Sequence, residues 1–217
     1  MRLNKLLAHR LGISRRAADN AILDGRVSIN NQQANPGIDI INADSVLFDS
    51  KPLPENPTIT TIMLNKPIGY VCSRNGQGSK TVYDLLPPEF KNLKPVGRLD
   101  KDSSGLLLMT NDGNLANQLT HPRYQKQKIY QVTLDKPLLN EHKVKIESGG
   151  VSLSDGVSKF TVKNNGQSLK VTLQEGRNRQ IRRTFEKLGY KVAKLHRTNF
   201  GHYVIATLSS EQYKIIS

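Results

Sequence analysis

One segment constrains the fold more than any other, because it joins a polar turn directly to a long apolar run. Residues 97–105 read GRLDKDSSG, and residues 106–110 continue as LLLMT. The pattern predicts a buried strand that the chain enters through a glycine, with Asp100 between the end of one strand and the turn. An ordinary surface loop seldom places a carboxylate so close to the core. We therefore take Asp100 as a candidate catalytic acid.

The composition is strongly basic. The chain of 217 residues carries 32 Lys and Arg against 18 Asp and Glu, a formal net charge of +14. This excess favours a polyanionic partner, and nucleic acid fits better than a membrane surface. No apolar run approaches the roughly 18 residues of a membrane span, so we expect no membrane association. Cys72 is the sole cysteine, which excludes an internal disulfide and favours a reducing compartment, the cytoplasm.

The first part of the chain has the pattern of a small α/β unit. Leucines repeat at helical spacing over residues 3–11, and Ser14 is a suitable cap for a second helix that ends at Asp24. Alternating apolar residues at 26–29 and 44–48 predict two paired strands. Together these patterns predict a compact unit of two helices and a small sheet that ends at residue 48.

Two arginines, Arg15 and Arg16, begin the second predicted helix. Cations there oppose the helix dipole by roughly a few tenths of a kcal/mol, so the pattern indicates either an external anion or a solvated basic face. The motifs RLxxL at residues 2–6, SRRA at 14–17 and GRV at 25–27 resemble an S4 RNA-binding domain. The resemblance implies that this face docks on structured RNA through five cations: Arg2, Lys5, Arg15, Arg16 and Arg26.

A proline-rich segment follows this unit. Residues 49–58 contain Pro52, Pro54 and Pro57 and few apolar side chains, as is typical of a semi-rigid linker. The sequence therefore predicts a domain at residues 1–48, a linker at 49–58 and a second domain at 59–217.

The second domain alternates short strand patterns with helical ones. Strands are expected at residues 60–65, 69–73, 128–134, around 157–163, 168–173 and 190–199, and helices at 82–86, 112–119 and 177–188. This mixture predicts an α+β fold class, with a mainly antiparallel sheet in the second domain.

Three interpretations of the acids at 100 and 102 compete. Asp100, Asp102, Ser104 and Gly105 match positions 1, 3, 5 and 6 of a calcium loop, but Asn111 stands where a bidentate Glu is required. A glycosidase needs two facing carboxylates, and two acids so close in one turn need not face each other. The third interpretation is a single catalytic aspartate beside a basic groove.

The wider motif pattern resembles one enzyme family. Residues 97–113 closely resemble the core motif of pseudouridine synthases, most strongly that of the RsuA/RluB branch, which modifies ribosomal RNA. Residues 63–73, 128–132, 175–183 and 195–197 resemble further motifs of that branch, in the same order. The resemblance implies an enzyme that isomerises uridine to pseudouridine with no cofactor and no metal. It also implies ribosomal RNA as partner, in a partly assembled ribosomal subunit, and we expect a monomer.

The resemblance also implies residue roles. Asp100 starts the reaction, either as nucleophile at the ribose or as base at C2′. Arg182 matches the basic residue that keeps this carboxylate ionised, although by itself it could be a solvated helix arginine. Tyr130 matches the tyrosine that stacks on the flipped uracil and can take the C5 proton, although a strand tyrosine is more often part of a core.

The remaining implied contacts are with RNA. Arg98 would fill the space that the extruded base leaves, and Leu195 would form part of the apolar wall of the uracil pocket. Residues 170–197 carry nine cations against two acids, so this stretch could track phosphates. The candidate phosphate contacts in or near it are Arg177, Arg179, Arg183 and Arg197.

Two residues depart from the branch pattern. Thr184 stands where a methionine is usual, which affects local packing more than chemistry, and Ser103 replaces the commoner threonine while it keeps the hydroxyl.

The target RNA follows less directly from the motifs. Residues 63–73 and 195–197 favour small-subunit 16S ribosomal RNA, whereas residues 176–180 look more like enzymes of large-subunit 23S RNA. A ribosome-associated RNA-binding protein without catalysis and a glycosidase-like hydrolase that releases uracil are further alternatives.

Overall fold

The computed structural model describes residues 1–41, 44–165 and 168–217, and the side chains of 164 and 165 are also outside the description. The described chain forms two compact units, Met1–Ile59 and Thr60–Ser217. Among the described residues, no helix is both long enough and apolar enough to cross a membrane.

The first unit contains the two predicted helices and a small antiparallel sheet. Helix α1 spans Leu3–Arg10 and α2 spans Arg15–Leu23. The Ser14 side chain accepts a hydrogen bond from the Ala17 amide at 3.0 Å, as the predicted helix cap requires. The strands lie in the order β2-β1-β3-β4, with β1 at Val27–Ile29, β2 at Gln32–Gln33, β3 at Val46–Phe48 and β4 at Lys51–Pro52.

One core holds this unit together. The apolar faces of both helices meet the sheet, and the buried cluster consists of Leu3, Leu7, Ala18, Ala21, Ile22, Val27, Ala34, Ile40 and Val46. Removal of this much apolar surface from water is the main driving force for such a fold.

Part of the segment expected to be a linker belongs to the first unit. Lys51 and Pro52 form β4 and pair with β3. The Arg10 guanidinium donates a hydrogen bond to the carbonyl of Pro54 and another to the side chain of Asn56. Composition could not reveal these contacts, because they come from a helix that lies some forty residues earlier in the chain.

The second unit is built from many short strands and three helices within its described residues. Its strands are β5 Thr61–Lys66, β6 Lys94–Pro95, β7 Ser104–Thr110, β8 Lys128–Leu134, β9 Val151–Leu153, β10 Gly156–Ser158, β11 Thr161–Asn165, β12 Ser168–Leu173, β13 Val192–Phe200, β14 Tyr203–Val204 and β15 Tyr213–Ile215. Its helices are α3 Gly113–Thr120, α4 Asn140–Glu147 and α5 Gln180–Lys187.

A nine-stranded sheet dominates the described part of this unit. Seven strands follow the order β11-β12-β8-β13-β7-β5-β15, while β6 pairs with β7 and β14 pairs with β13. The pairing is antiparallel except between β13 and β7. Strands β9 and β10 form a separate hairpin. The predicted α+β class with a mainly antiparallel sheet is confirmed.

The apolar run that opened the sequence analysis forms the central strand β7. Leu107 and Met109 join one core cluster, whereas Leu106 and Leu108 join another. Alternate residues of a strand point to opposite faces, so β7 is buried on both sides of the sheet.

Four predicted elements differ from the structure. Residues 69–73 form no strand, because Val71 makes an isolated bridge with Thr81 while the flanking residues turn. The helix expected from residue 177 begins at Gln180. The strand expected around residues 157–163 is divided into β10 and β11. The helix expected at residues 82–86 is a short 3-10 helix, Val82–Leu85. Helix α4 and strands β6, β9, β14 and β15 were not predicted.

Candidate active site

A cavity of about 830 Å³ in the second unit gathers several of the predicted site residues. It lies beside β8, β13, the turn before β7 and the start of α5. The predicted residues on its wall are Arg98, Asp100, Tyr130, Arg177, Arg179, Leu195 and Arg197.

The Asp100 carboxylate is accessible, and its surroundings are apolar on one side. Its side chain is 31% exposed, while Tyr130, Leu195 and Ile181 are buried and line the same cavity. A planar base can therefore lie against this apolar wall while its sugar approaches the carboxylate.

A buried lysine that the sequence analysis did not single out holds the turn of Asp100. Lys66 is the last residue of β5, and its side chain is fully buried at 0% exposure. Its Nζ donates to the carbonyl oxygens of Pro67 at 2.8 Å, Asp100 at 3.1 Å and Ser103 at 2.7 Å. Burial lowers the pKa of Lys66. The available signal was a lysine that ends an apolar strand pattern directly before a proline.

Gly105 is required by the close approach of β13. Its φ is +107°, and a Cβ atom there would lie 2.3 Å from the carbonyl oxygen of Arg197. Gly105 pairs with Arg197 in the parallel part of the sheet. Since only glycine fits this space and conformation, the residue fixes where the turn ends and the strand begins.

Two arginines hold the second acid of the turn. Arg179 donates two hydrogen bonds to the Asp102 carboxylate, at 2.9 and 3.0 Å. The Nε of Arg182 lies 3.3 Å from the same carboxylate, and the Arg182 guanidinium also donates to the carbonyl oxygen of Asp102 at 2.7 Å. The hydrogen bond from Arg179 lowers the pKa of Asp102, and attraction to Arg182 lowers it further.

This arrangement corrects the predicted ion pair between Asp100 and Arg182. Arg182 pairs with Asp102, and the cation nearest Asp100 is Arg179, whose Nη1 lies 3.8 Å from the carboxylate. The cause is the late start of α5: Arg179 precedes the helix in a left-handed conformation with φ of 46°. Asp102 is therefore more than a turn residue, and Asp100 is the acid of this turn that lines the cavity.

Arg177 and Arg183 make contacts that differ from the expected phosphate contacts. The guanidinium of Arg177 lies 3.2 Å from Asp155, and that of Arg183 lies 2.7 Å from the same carboxylate. Asp155 lies in the turn between β9 and β10, so this acid ties the start of α5 to the hairpin. Asp155 therefore balances part of the charge of both arginines.

Arg197 is likewise not a surface cation. It is 2% exposed, and its Nε donates to the carbonyl oxygen of Leu106 at 2.8 Å. The expectation that Arg197 contacts phosphates along an open groove is corrected, because this side chain on the cavity wall is almost fully buried.

The predicted RNA-binding cations of the first unit fall into two groups. Lys5, Arg15 and Arg16 are exposed on α1 and α2. Arg26 forms an ion pair with Asp49 at 2.6 Å, and Arg2 lies 3.8 Å from Asp39. The charges of the second group are partly balanced by acids of the same unit.

The structure also bears on the interpretations of the two acids. Residues 104–110 form a strand, so they cannot form the second half of a calcium-binding loop. Asp102 is engaged by two arginines, whereas the nearest arginine nitrogen lies 3.8 Å from the Asp100 carboxylate.

The two departures from the branch pattern have structural roles. Thr184 is buried, and its hydroxyl bonds the Gln180 carbonyl and the Ser158 hydroxyl, each at 2.8 Å. Ser103 is buried, and its carbonyl accepts the bond from Lys66.

Comparison with known proteins identifies the class of protein that this fold and site define. The family model described as RNA pseudouridylate synthase matches residues 60–187, and the S4 domain model matches residues 1–39. The chain therefore belongs to the RNA pseudouridylate synthase family and carries an S4 domain, as the motifs predicted.

Particular relatives are similar over nearly the whole chain. The ribosomal small subunit pseudouridine synthase A of Escherichia coli K12 is 34% identical and is aligned over 99% of this chain and 95% of its own length. The ribosomal large subunit pseudouridine synthase B of Bacillus subtilis is 34% identical over 92% of this chain and 85% of its own length. A crystal structure of a pseudouridylate synthase matches with a TM-score of 0.72 and 30% identity, covering 100% of this chain and 96% of that one.

Proposed function

We propose that this chain isomerises a specific uridine of ribosomal RNA to pseudouridine, and that 16S small-subunit RNA is its substrate. The observation that carries the proposal is the Asp100 carboxylate, which lies on a cavity wall that it shares with Tyr130 and Leu195 and whose nearest arginine is 3.8 Å away. The similarity to the small-subunit enzyme of Escherichia coli supports the choice of RNA.

The reaction breaks the C1′–N1 bond, turns the uracil and forms a C1′–C5 bond, with no net change of oxidation state. Asp100 starts it as an ionised carboxylate, either by attack at C1′ or by removal of the C2′ proton. Tyr130 stacks on the uracil and accepts the proton that leaves C5. Arg98, on the cavity wall, occupies the position vacated in the RNA, which offsets part of the roughly few kcal/mol that extrusion of a base costs.

The positive charges around the turn are matched by its two acids. Arg179 and Arg182 bring two positive charges, and Asp102 balances one of them. Asp100 is the second acid, and Arg179 lies 3.8 Å from its carboxylate. In this proposal Arg182 acts through the turn, as a positioning residue, and Arg179 takes the place nearest the reacting carboxylate.

The remaining segments of the chain bring the catalytic site to its RNA substrate. In this proposal residues 1–48 are the S4-like domain that docks on RNA, residues 49–58 join it to the catalytic domain at 59–217, and the protein acts as a monomer in the cytoplasm. A partly assembled ribosomal subunit is the proposed partner, because structured RNA must remain accessible to both domains.

Mapping of the modified uridine tests the choice of RNA. Purified protein is incubated separately with 16S and 23S transcripts, and carbodiimide-dependent stops of reverse transcription are mapped. A new stop in 16S RNA alone is the expected result. A stop in 23S RNA alone contradicts the small-subunit proposal and favours the alternative that the Bacillus subtilis relative suggests.

The same reactions separate the remaining alternatives. A non-catalytic RNA-binding protein gives no new stop, although it retains RNA. A glycosidase-like hydrolase releases free uracil, which chromatography detects, whereas an isomerase retains all of the base in the RNA.

A further inference from the structure

Lys128 stands next to the proposed uracil site and lacks a carboxylate partner. It begins β8, two residues before Tyr130, and both line the same cavity. Its Nζ lies 3.4 Å from the carbonyl oxygens of Gln174 and Glu175. No carboxylate of the described chain forms an ion pair with it. The nearby Glu175 carboxylate is directed to Arg177 instead, at 3.3 Å.

A second cation lies behind Lys128. Arg197 is the partner of Tyr130 across the β13–β8 pair. Its Nη2 is buried without a hydrogen-bond partner within the described structure. Both cations lie against the ring of Phe200, since the Lys128 Nζ is 5.2 Å and the Arg197 Cζ is 4.8 Å from its centroid.

Arg197 is buried and Lys128 is half-buried, and both cations lie against one aromatic ring. Because like charges repel, this arrangement is unfavourable unless a negative charge lies nearby. Burial lowers the pKa of Lys128 and repulsion by Arg197 lowers it further, while attraction to Glu175 opposes this shift only in part. The cost of desolvating both charges is recovered when an anion enters the cavity beside Lys128. A field from a buried guanidinium is also stronger than one from an exposed side chain, because little water screens it.

We propose that Lys128 binds a phosphate of the substrate strand beside the uridine that stacks on Tyr130, and that Arg197 strengthens this site from behind. The inference rests on the proposed function, because it takes the ligand to be RNA. Residues two apart on a strand are separated by about 7 Å, which is far enough for a base at Tyr130 and a phosphate at Lys128 to belong to one nucleotide. Arg197 is a positioning residue here, since the Lys128 ammonium makes the contact.

The salt dependence of RNA binding tests the contact. Dissociation constants of wild type, Lys128→Gln and Lys128→Arg are measured for the substrate RNA over a range of salt concentrations. Loss of one phosphate contact lowers the slope of log Kd against log salt by about 0.7 for a single strand. Lys128→Gln is expected to show this loss, and Lys128→Arg is expected to keep the wild-type slope. Lys145→Gln, an exposed lysine on α4 outside the cavity wall, is the matched control.

A second measurement uses the wild-type protein and does not depend on the folding of a variant. Uridine, uridine 5′-monophosphate and uridine 3′-monophosphate compete with the RNA substrate. The monophosphate that places its charge at Lys128 should inhibit about tenfold better than uridine, as expected for one charged hydrogen bond, and this tells which phosphate is bound.

Two results overturn the inference. The first is an unchanged salt slope in folded Lys128→Gln. The second is equal inhibition by uridine and by both of its monophosphates. Neither affects the proposed function, which fails instead if wild-type protein forms no pseudouridine in ribosomal RNA.

Discussion

Asp100 and Asp102 lie two residues apart in one turn, yet their surroundings give them different tasks. Asp102 receives two hydrogen bonds from Arg179 and a close contact from Arg182. Asp100 keeps an accessible carboxylate on the cavity wall. At the scale of single residues, one acid therefore fixes the turn, and in our proposal the other carries out the chemistry.

Lys66 should matter for stability and for the placement of Asp100. Lys66→Met removes the donor to three carbonyl oxygens in a buried place. Loss of a buried hydrogen-bond donor costs about 1–3 kcal/mol of unfolding free energy. We expect this loss in denaturant unfolding, together with a lower kcat because the Asp100 turn shifts. Lys101→Met is the control, since Lys101 is exposed in the same turn; an equal loss in both variants contradicts the role of Lys66.

The Asp102 ion pairs predict a pH-dependent contribution to stability. Because hydrogen bonding from Arg179 lowers the pKa of Asp102 in the folded state, its contribution is complete above the unfolded pKa, near 3.9. It is lost as the pH falls through the lower folded value. At pH 7 wild type should have a higher Tm than Asp102→Asn. The difference in unfolding free energy should be under about 1 kcal/mol, because the Asp102 side chain is 47% exposed. Thermal unfolding of both proteins from pH 7 to pH 2 checks this: the difference should shrink as the pH falls below the unfolded value, and a difference that does not shrink contradicts it.

At the scale of elements, hydrophobic periodicity predicted the helices and strands that the local sequence determines. It failed for segments whose conformation depends on contacts with distant residues. Strand β8 has the predicted bounds, since its alternating residues face a core on one side. Residues 69–73 carry a similar alternation but turn toward Thr81 instead. The start of α5 was placed three residues early, because Arg177 is drawn to Asp155 on a hairpin that the sequence pattern did not define.

The junction of the turn with β7 should tolerate no side chain at residue 105. In Gly105→Ala the new Cβ meets the Arg197 backbone at 2.3 and 2.6 Å, and the positive φ adds strain of about 1 kcal/mol or more. The pairing of β7 with β13 must open, so we expect a fall in Tm and loss of activity together. Gly113→Ala at the start of α3 is the control, because nothing lies within 4 Å of its Cβ; its Tm should be unchanged or slightly raised. A Tm of Gly105→Ala equal to wild type contradicts this account.

At the scale of the whole molecule, the two units have separate cores. The S4 domain lies in the first unit, and the region that matches the pseudouridylate synthase family lies in the second. The motifs predicted both the S4 domain and the catalytic family. They did not predict how the positive charge is used, because an arginine that pairs with a neighbouring acid looks the same in the sequence as one that faces solvent. Arg15 and Arg26 illustrate the difference, since Arg15 is exposed at a helix start and Arg26 is bound to Asp49.

The exposed cations of the first unit should contribute to RNA affinity without touching the reaction. Arg15→Gln with Arg16→Gln should raise KM and lower the salt slope of RNA binding by about one unit per lost phosphate contact, with kcat unchanged. Filter binding at several salt concentrations measures the slope. Arg26→Gln is the comparison, and it should change the slope less because Asp49 already balances its charge. A wild-type slope in the double variant contradicts RNA docking through α2.

The central claim is that one carboxylate, Asp100, carries out the isomerisation. The most direct measurement maps carbodiimide-dependent stops in ribosomal RNA after incubation with wild type and with Asp100→Asn, alongside RNA binding by both proteins. The account predicts a single stop for wild type, and at least about a hundredfold slower appearance of it for Asp100→Asn with RNA binding retained. A wild-type rate of pseudouridine formation in Asp100→Asn would contradict the account.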